Sequence, residues 1–305
     1  MILVHDDLDG AGCAAVLLLA QPGELGGERN PEFVGYGDVD ERVVQLATQC
    51  SKGHLGGPPE KLWVADITPS PAALRAALNL LGSSLFLWDH HITAKERLSW
   101  LNLKGYQVHC DTGHSATRGL AAHLGLLRDP HVQRFVEAVD AWDMWRLDAE
   151  ARPEGELLNW AASTMDLGEL AEQLMDAQKY GELLERGRWA QRIGEYRAAQ
   201  FVRDHLYNPE YVDSQGYKFV RAMLNGEQVS LAAHQLLTEL GDDVDYLLLY
   251  DPRGDRVHLR TQRDHVDVSQ IAAARGGGGH VSAAGYALPL TRACYELDIR
   301  ENEQE

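Results

Sequence analysis

Residues 85–91, LFLWDHH, constrain this chain more than any other stretch. An apolar run of β-forming residues stops abruptly at a carboxylate and two imidazoles, Asp89, His90 and His91, as a core strand does at its carboxyl end. In open α/β sheets that edge is where ligands bind. The same composition fits a strand running into an ordinary polar loop, so the rest of the chain has to decide.

The pattern recurs. Residues 2–4 are apolar and stop at His5, Asp6 and Asp7, with Asp9 and Gly10 following and a buried helix expected over 11–20. A second strand is expected near 33–36 with a helix over 40–49. A third, over 62–65, ends at Asp66, and Pro69 and Ser70 open the next helix. Helices between strands at this spacing predict an α/β fold with a doubly wound, mostly parallel sheet. Parallel strands share one carboxyl edge, so His5, Asp7, Asp9, Asp66, Asp89 and His90 are expected to converge there despite their separation in sequence.

Composition narrows the chemistry. Lys and Arg number 28 against 46 Asp and Glu, a formal charge of −18. That balance argues against a protein that grips long nucleic acid by neutralising phosphates, and leaves open a small anionic substrate handled through metal ions. Cys13, Cys50, Cys110 and Cys294 are scattered without a CxxC pair, so neither a disulfide framework nor a thiolate zinc site is expected. No cationic leader precedes an apolar core, and no run approaches the ~20 apolar residues of a membrane span. The expectation is a soluble, cytoplasmic protein with no membrane partner.

Farther along, a short strand near Val108 runs toward a helix with Ser115 and Thr117 as cap groups, and VDAWDMW places Asp140 and Asp143 beside Trp142 and Trp145. Composition then turns rich in Leu, Ala, Glu and Arg, and after Pro209 strand-like and helical segments alternate again. The expected division is a first α/β domain over 1–155, a helical connector over 156–210 and a smaller α/β domain over 211–305.

Three groups of residues carry candidate chemistry. His5, Asp7, Asp9, Asp66, His90 and one later Asp suffice for two metals sharing a carboxylate; such a set suits Mn²⁺, Fe²⁺, Co²⁺ or Zn²⁺, and Mg²⁺ where oxygen dominates. For residues 5–10 alone, an Asp-rich capping turn explains the composition as well. The glycine run 276–279 before His280 suggests a backbone cradle for phosphate at a helix amino terminus, made by Gly277, Gly278 and Gly279; a flexible loop has the same composition. Arg260 is either a phosphate clamp or a surface arginine on a strand. His114, Ser115 and Arg118 lie on a loop able to reach the site. Trp142 and Trp145 read as packing, and His54, His123, His131, His205, His234 and His265 as surface or satisfied groups.

HDDLDG at His5, VAD at Asp66, WDHH at Asp89, VDAWD at Asp140 and GGGGHVSAAG far downstream, in that order, resemble the DHH phosphoesterase superfamily with its DHHA1 carboxyl domain. The opening HDDLDGAGC is similar to the nanoRNase B-type oligoribonucleases. The resemblance implies a bilobed enzyme with two Mn²⁺ ions, Mg²⁺ or Co²⁺ being alternatives, on a DHH catalytic domain. His5, Asp7 and Asp66 would hold one ion; Asp9, Asp66, His90 and Asp140 the other, with Asp66 as bridge and Asp143 as the alternative to Asp140. His91 would face the scissile phosphate and Asp89 would orient a ligand imidazole. Arg260, Gly277, Gly278, Gly279 and His280 would bind the substrate's terminal phosphate or nucleotide. The expected reaction is hydrolysis of short RNA (nanoRNA) or a related small nucleotide to nucleoside 5′-monophosphates. The alternatives are a 3′-phosphoadenosine 5′-phosphate phosphatase, a cyclic dinucleotide phosphodiesterase, a RecJ-like single-strand DNA exonuclease and a non-catalytic nucleotide sensor. No stable complex with long nucleic acid is expected, and a homodimer is left open.

Overall fold

The computed structural model describes residues 1–20, 31–53, 60–99, 105–226 and 228–288; His54 and Cys294 lie outside them. Strand and helix alternate as the sequence predicts: β1 (Ile2–His5), α1 (Leu8–Ala20), β2 (Glu32–Val34), α2 (Val39–Ser51), β3 (Leu62–Ala65), α3 (Pro71–Leu81), β4 (Leu85–Asp89), α4 (Ile92–Ser99), β5 (Gln107–Cys110) and α5 (Ala116–His123). The five strands form one parallel sheet in the order β2-β1-β3-β4-β5. Every residue of β3 is buried, as expected for a central parallel strand covered on both faces. Leu3, Val64, Leu85 and Leu87 face α2 and α3, while Val4, Trp63 and Ala65 face α1 and α5. The helix starts are written locally. Pro71 occupies the first turn of α3, and Ser70 Oγ accepts from Ala73 N.

The strand order reverses between β1 and β3, which is where a doubly wound sheet opens a crevice at its carboxyl edge. Both strands run straight into candidate ligands there.

The next four helices are α6 (Pro130–Asp143), α7 (Arg152–Ala162), α8 (Leu167–Met175) and α9 (Tyr180–His205). The connector expected over 156–210 is not a separate element. Leu158, Ala161, Leu170, Leu174, Tyr180 and Leu183 are buried in the same cluster as α1 and the sheet, and the chain divides into compact units at Met1–Gln191 and Arg192–Glu305. Two glycines permit that packing. A Cβ on Gly155 would lie 2.1 Å from Ala138 O, and one on Gly187 2.1 Å from Leu157 O. Leu- and Ala-rich amphipathic helices have the same composition whether they span a gap or form a core layer, so composition could not tell the two apart.

The second unit contains β6 (Glu210–Val212), β7 (Lys218–Met223), α10 (Val229–Leu240), β8 (Tyr246–Asp251), β9 (Arg256–Arg260), α11 (Val268–Ala273), β10 (Gly278–His280) and β11 (Ala283–Ala287). Its sheet runs β10-β11-β9-β8-β7-β6, and only the β7–β8 pair is parallel. One face packs on α10 and on Ala198 and Phe201 of α9, the other on α11. The glycine run does not open a helix. It leads from α11 into the outermost strand β10, and the small residues after His280 form β11, with Gly278 opposite Gly285. Close approach explains the composition: a Cβ on Gly277 would meet Gly285 O at 2.1 Å, and one on Gly279, whose φ is +142°, would meet Ala284 Cα at 2.5 Å. Among the described residues no helix is long and apolar enough to cross a membrane.

Gly187→Ala discriminates between a solvent-facing connector and a core layer. On an open helix the change would stabilise by roughly 0.5–1 kcal/mol. The observed packing predicts destabilisation of about 1–3 kcal/mol, read by urea denaturation.

Candidate metal centre

Asp66 follows the last residue of β3 and adopts a left-handed backbone, φ +63°, a conformation Asp tolerates better than most residues. Its N–H donates to Trp88 O at 2.9 Å. Its carboxylate is 1% exposed, with neither oxygen hydrogen-bonded. Around it stand His90 Nε2 at 3.2 Å from Oδ1, His5 Nδ1 at 3.7 Å from Oδ2 and His91 Nδ1 at 3.9 Å from Oδ1. Three groupings have ligand atoms within 4.8 Å of one another: His5, Asp7 and Asp66; Asp9, His90 and Asp143; and Asp66, His90 and His91.

Backbone donors fix the surrounding carboxylates. Asp7 Oδ1 accepts from Gly10 N at 2.9 Å, and its Oδ2 lies 2.7 Å from His5 Nδ1. Asp9 accepts from Ala116 N at 2.8 Å and Thr117 N at 3.1 Å, so the amino end of α5 holds it. Ser115 caps α5 by accepting from Arg118 N. Thr117 has a different task from the cap expected of it: its hydroxyl donates to Asp9 O at 2.8 Å. A Cβ on Gly12 would come within 2.3 Å of that hydroxyl, so glycine lets α1 and α5 meet there.

Asp89 orients His91. Its Oδ1 lies 2.8 Å from His91 Nδ1 and accepts from His90 N at 2.6 Å and His91 N at 3.0 Å, while Thr68 Oγ1 donates to Oδ2 at 2.5 Å. The imidazole Asp89 steers is therefore that of His91, the proposed phosphate contact, and no contact joins its side chain to the His90 ring among the described residues. His91 is a third exposed, and with Nδ1 engaged its Nε2 is the available nitrogen.

Of the two late acidic positions, Asp143 is the one the structure brings beside His90. Asp143 Oδ2 lies 3.4 Å from His90 Nε2, with no hydrogen-bond partner of its own. Asp140 accepts instead from Ser115 N and Arg146 Nε, both at 2.8 Å, with His114 Nδ1 at 3.7 Å and Arg118 Nη1 at 3.8 Å. Its oxygens thus face a backbone donor and an arginine, and among the described residues it is Asp143, not Asp140, that shares a ligand grouping with Asp9 and His90. Arg146 also donates to Gly113 O at 2.7 Å, so His114, Ser115 and Arg118 gather around Asp140. Sequence reading missed Arg146 and also Tyr36. The Tyr36 ring centroid lies 4.9 Å from that of His5 and 6.3 Å from that of His91. A lone aromatic after a strand carries no sequence signal of that neighbourhood.

Electrostatics follow from crowding four carboxylates together around the buried Asp66 and Asp9. Burial, then the charges of Asp9 and Asp7, pushes Asp66 well above the usual carboxylate range. The same causes push Asp143 up to about 8. Burial depresses the basicity of His90, whereas the hydrogen bond His91 makes to Asp89 raises that of His91. The Tyr36 hydroxyl is pushed up to about 12 by burial and by Asp89, Asp66 and Asp7. Buried polar atoms without partners are rare and costly, yet both Asp66 oxygens, His90 Nε2 and Asp143 Oδ2 share one pocket. The mixed oxygen–imidazole set fits a divalent cation, which these atoms would hold.

Arg260 and the glycine segment occupy the second unit. Arg260 Nη1 donates to Leu259 O at 2.9 Å, and no carboxylate pairs with it among the described residues. It shares a face of β9 with Arg256 and His258, and His280 sits opposite Ala283, the cross-strand partner of Arg260. Gly277 N–H is already used, donating to Ala272 O at 2.9 Å behind α11, so only Gly278, Gly279 and His280 belong to the outer edge. His131, His205, His234 and His265 each have local partners.

The chain matches no protein-family profile. It is 24% identical over 313 aligned residues to the oligoribonuclease NrnB of Bacillus subtilis (strain 168), an alignment covering 97% of this chain and 74% of that one. Its fold is similar to that of exonuclease RecJ bound to manganese, with TM-score 0.58, 15% identity and coverage of 98% and 89% of the two chains. It is also similar to the pGpG-specific phosphodiesterase PggH of Vibrio cholerae, with TM-score 0.52, 14% identity and coverage of 98% and 96%. A five-stranded parallel sheet carrying this ligand edge, with a second mixed sheet, is similar in fold to these proteins, and together with the relative it supports the resemblance to the DHH/DHHA1 phosphoesterase superfamily. Within that superfamily it resembles the nanoRNase B-type oligoribonucleases.

The two acidic positions on α6 separate in a metal titration. Asp143→Ala should weaken Mn²⁺ binding by ~10-fold or more in isothermal calorimetry, whereas Asp140→Asn, which can still accept from Ser115 N, should change it far less. Equal losses would return Asp140 to the ligand set.

Proposed function

We propose that this chain is a cytoplasmic, two-metal phosphodiesterase that hydrolyses short oligoribonucleotides to nucleoside 5′-monophosphates, with Mn²⁺ as its ions. The observation that carries the reading is Asp66, a buried carboxylate whose two oxygens lie on either side of one site, 3.7 Å from His5 and 3.2 Å from His90. His5, Asp7 and Asp66 would hold one ion, and Asp9, Asp66, His90 and Asp143 the other. When bound, such a pair lowers the pKa of water and neutralises charge building on a phosphoryl group.

The remaining work falls to side chains. His91, steered by Asp89 and made more basic by it, carries a proton that Nε2 donates to a phosphoryl oxygen or to the leaving 3′ oxygen. Tyr36 keeps its phenolic proton at neutral pH and offers a second donor beside it. Thr68 and the backbone N–H groups of His90 and His91 hold Asp89 so that His91 does not turn away. In the second unit, Arg260 with His280 and the glycine edge would take the substrate's terminal phosphate, the unpaired guanidinium supplying charge and the absent side chains supplying room.

Short substrates fit the charge. A net −18 and no basic stripe disfavour prolonged contact with a long single strand, which wants a positive groove lined with stacking aromatics. The names of the relatives point the same way, one being an oligoribonuclease and another acting on a linear dinucleotide.

With Mn²⁺, turnover of RNA two to five nucleotides long should exceed turnover of a long single strand, of 3′-phosphoadenosine 5′-phosphate and of a cyclic dinucleotide. Asp66→Asn should reduce it to background. Equal rates on a pentamer and a long strand would overturn the substrate class; nucleotide binding without turnover under any divalent ion would overturn the enzyme.

A further inference from the structure

We propose that Trp145 is a nucleobase-stacking platform on the rim of the metal centre. The inference rests on the nucleotide phosphodiesterase reading and specifies how that site would hold its substrate. Although its sequence context suggests packing, the side chain is 65% exposed, and its backbone sits at φ +55°. A bulky residue there is an outlier, and such strain persists only where the surroundings impose it.

The surroundings do impose it. Trp145 N donates to Trp142 O at 3.2 Å and Arg146 N to Ala141 O at 3.0 Å, which closes the end of α6. Arg146 is locked by its bond to Asp140. The Arg152 guanidinium carbon lies 4.4 Å from the Trp145 ring centroid and 4.2 Å from that of Trp142, while its Nη1 donates to Ala141 O and Trp142 O. Trp142 packs against the core, whereas Trp145 is held out from it with a cation against its ring. The outcome is a flat, rigid, exposed indole that loses little entropy on stacking.

Its position selects the occupant. One residue separates it from Asp143, which lies 3.4 Å from His90, so the Cα atoms of Trp145 and Asp143 are at most ~7.6 Å apart, within the span of one nucleotide. Every base has a π-face, so stacking on an indole is tolerant of sequence. That suits an enzyme for short RNA of any composition.

The test is a kinetic cycle on full-length protein. Trp145→Gly removes the indole and suits the left-handed backbone, so it should keep or raise the melting temperature. It should raise KM for diadenylate roughly 5- to 150-fold with kcat little changed, and Trp145→Phe should recover most of the loss. Two diadenylate analogues, each lacking one base, locate the contact: with one of them, wild type and Trp145→Gly should have equal KM. An unchanged KM for diadenylate, or the same fold-rise with both analogues, overturns the platform while leaving the phosphodiesterase reading intact. If wild type turns over no nucleotide, that reading fails, and AMP affinity decides the platform: weakening in Trp145→Gly sustains it, and equal affinity overturns it.

Discussion

Asp66 is a carboxylate at 1% exposure with no hydrogen-bond donor, set among three more carboxylates in the carboxyl crevice of a parallel sheet. Left alone, that arrangement is unfavourable. Because the folded protein binds the Asp66 proton more tightly than the unfolded chain does, the metal-free fold loses stability from this group as pH rises above the ordinary carboxylate range. The core beneath it has to supply the difference, and it does so with fully buried β3 and two apolar layers on either side of the sheet.

The acidic residues fall into two sets by what already satisfies them. Asp9 is held by two backbone N–H groups of α5, Asp89 by Thr68 and two backbone N–H groups, and Asp140 by Arg146 and Ser115 N. Those bonds position the site. Asp66 and Asp143 have buried oxygens with no donor, which is where a cation would be bound. Asp9 is held by donors yet also faces the site, since the oxygen that accepts from Ala116 N lies 3.6 Å from His90 Nε2. Charge is therefore concentrated at one point while its immediate supports are neutral or paired.

The parallel sheet and the convergence of His5, Asp7, Asp9, Asp66 and His90 were legible in the sequence, because apolar runs ending in ligands define both strand and edge. Asp140 and Asp143 were not separable, since three residues apart on a helix they share a face, and what distinguishes them, Arg146 and Ser115 N at Asp140 and His90 at Asp143, comes from elsewhere in the chain. The helices over 156–191 read as a connector because amphipathic composition does not reveal which core a helix joins. The run GGGGHVSAAG read as a phosphate cradle opening a helix, but small residues allow a hairpin as readily as a helix start, and the hairpin prevails. Trp145 read as packing because exposure and a positive φ leave no trace in composition.

The central claim is that the fold carries an unpaired buried carboxylate for the sake of bound cations, and the melting temperature of Asp66→Asn tests it most directly. Asparagine keeps the shape and tolerates the left-handed backbone while removing the charge. Metal-free at neutral pH, the variant should melt above wild type, with the gap closing toward pH 4; on adding Mn²⁺ the wild type should gain and overtake it. A variant that melts below wild type without metal, or that gains as much from Mn²⁺, would contradict the account.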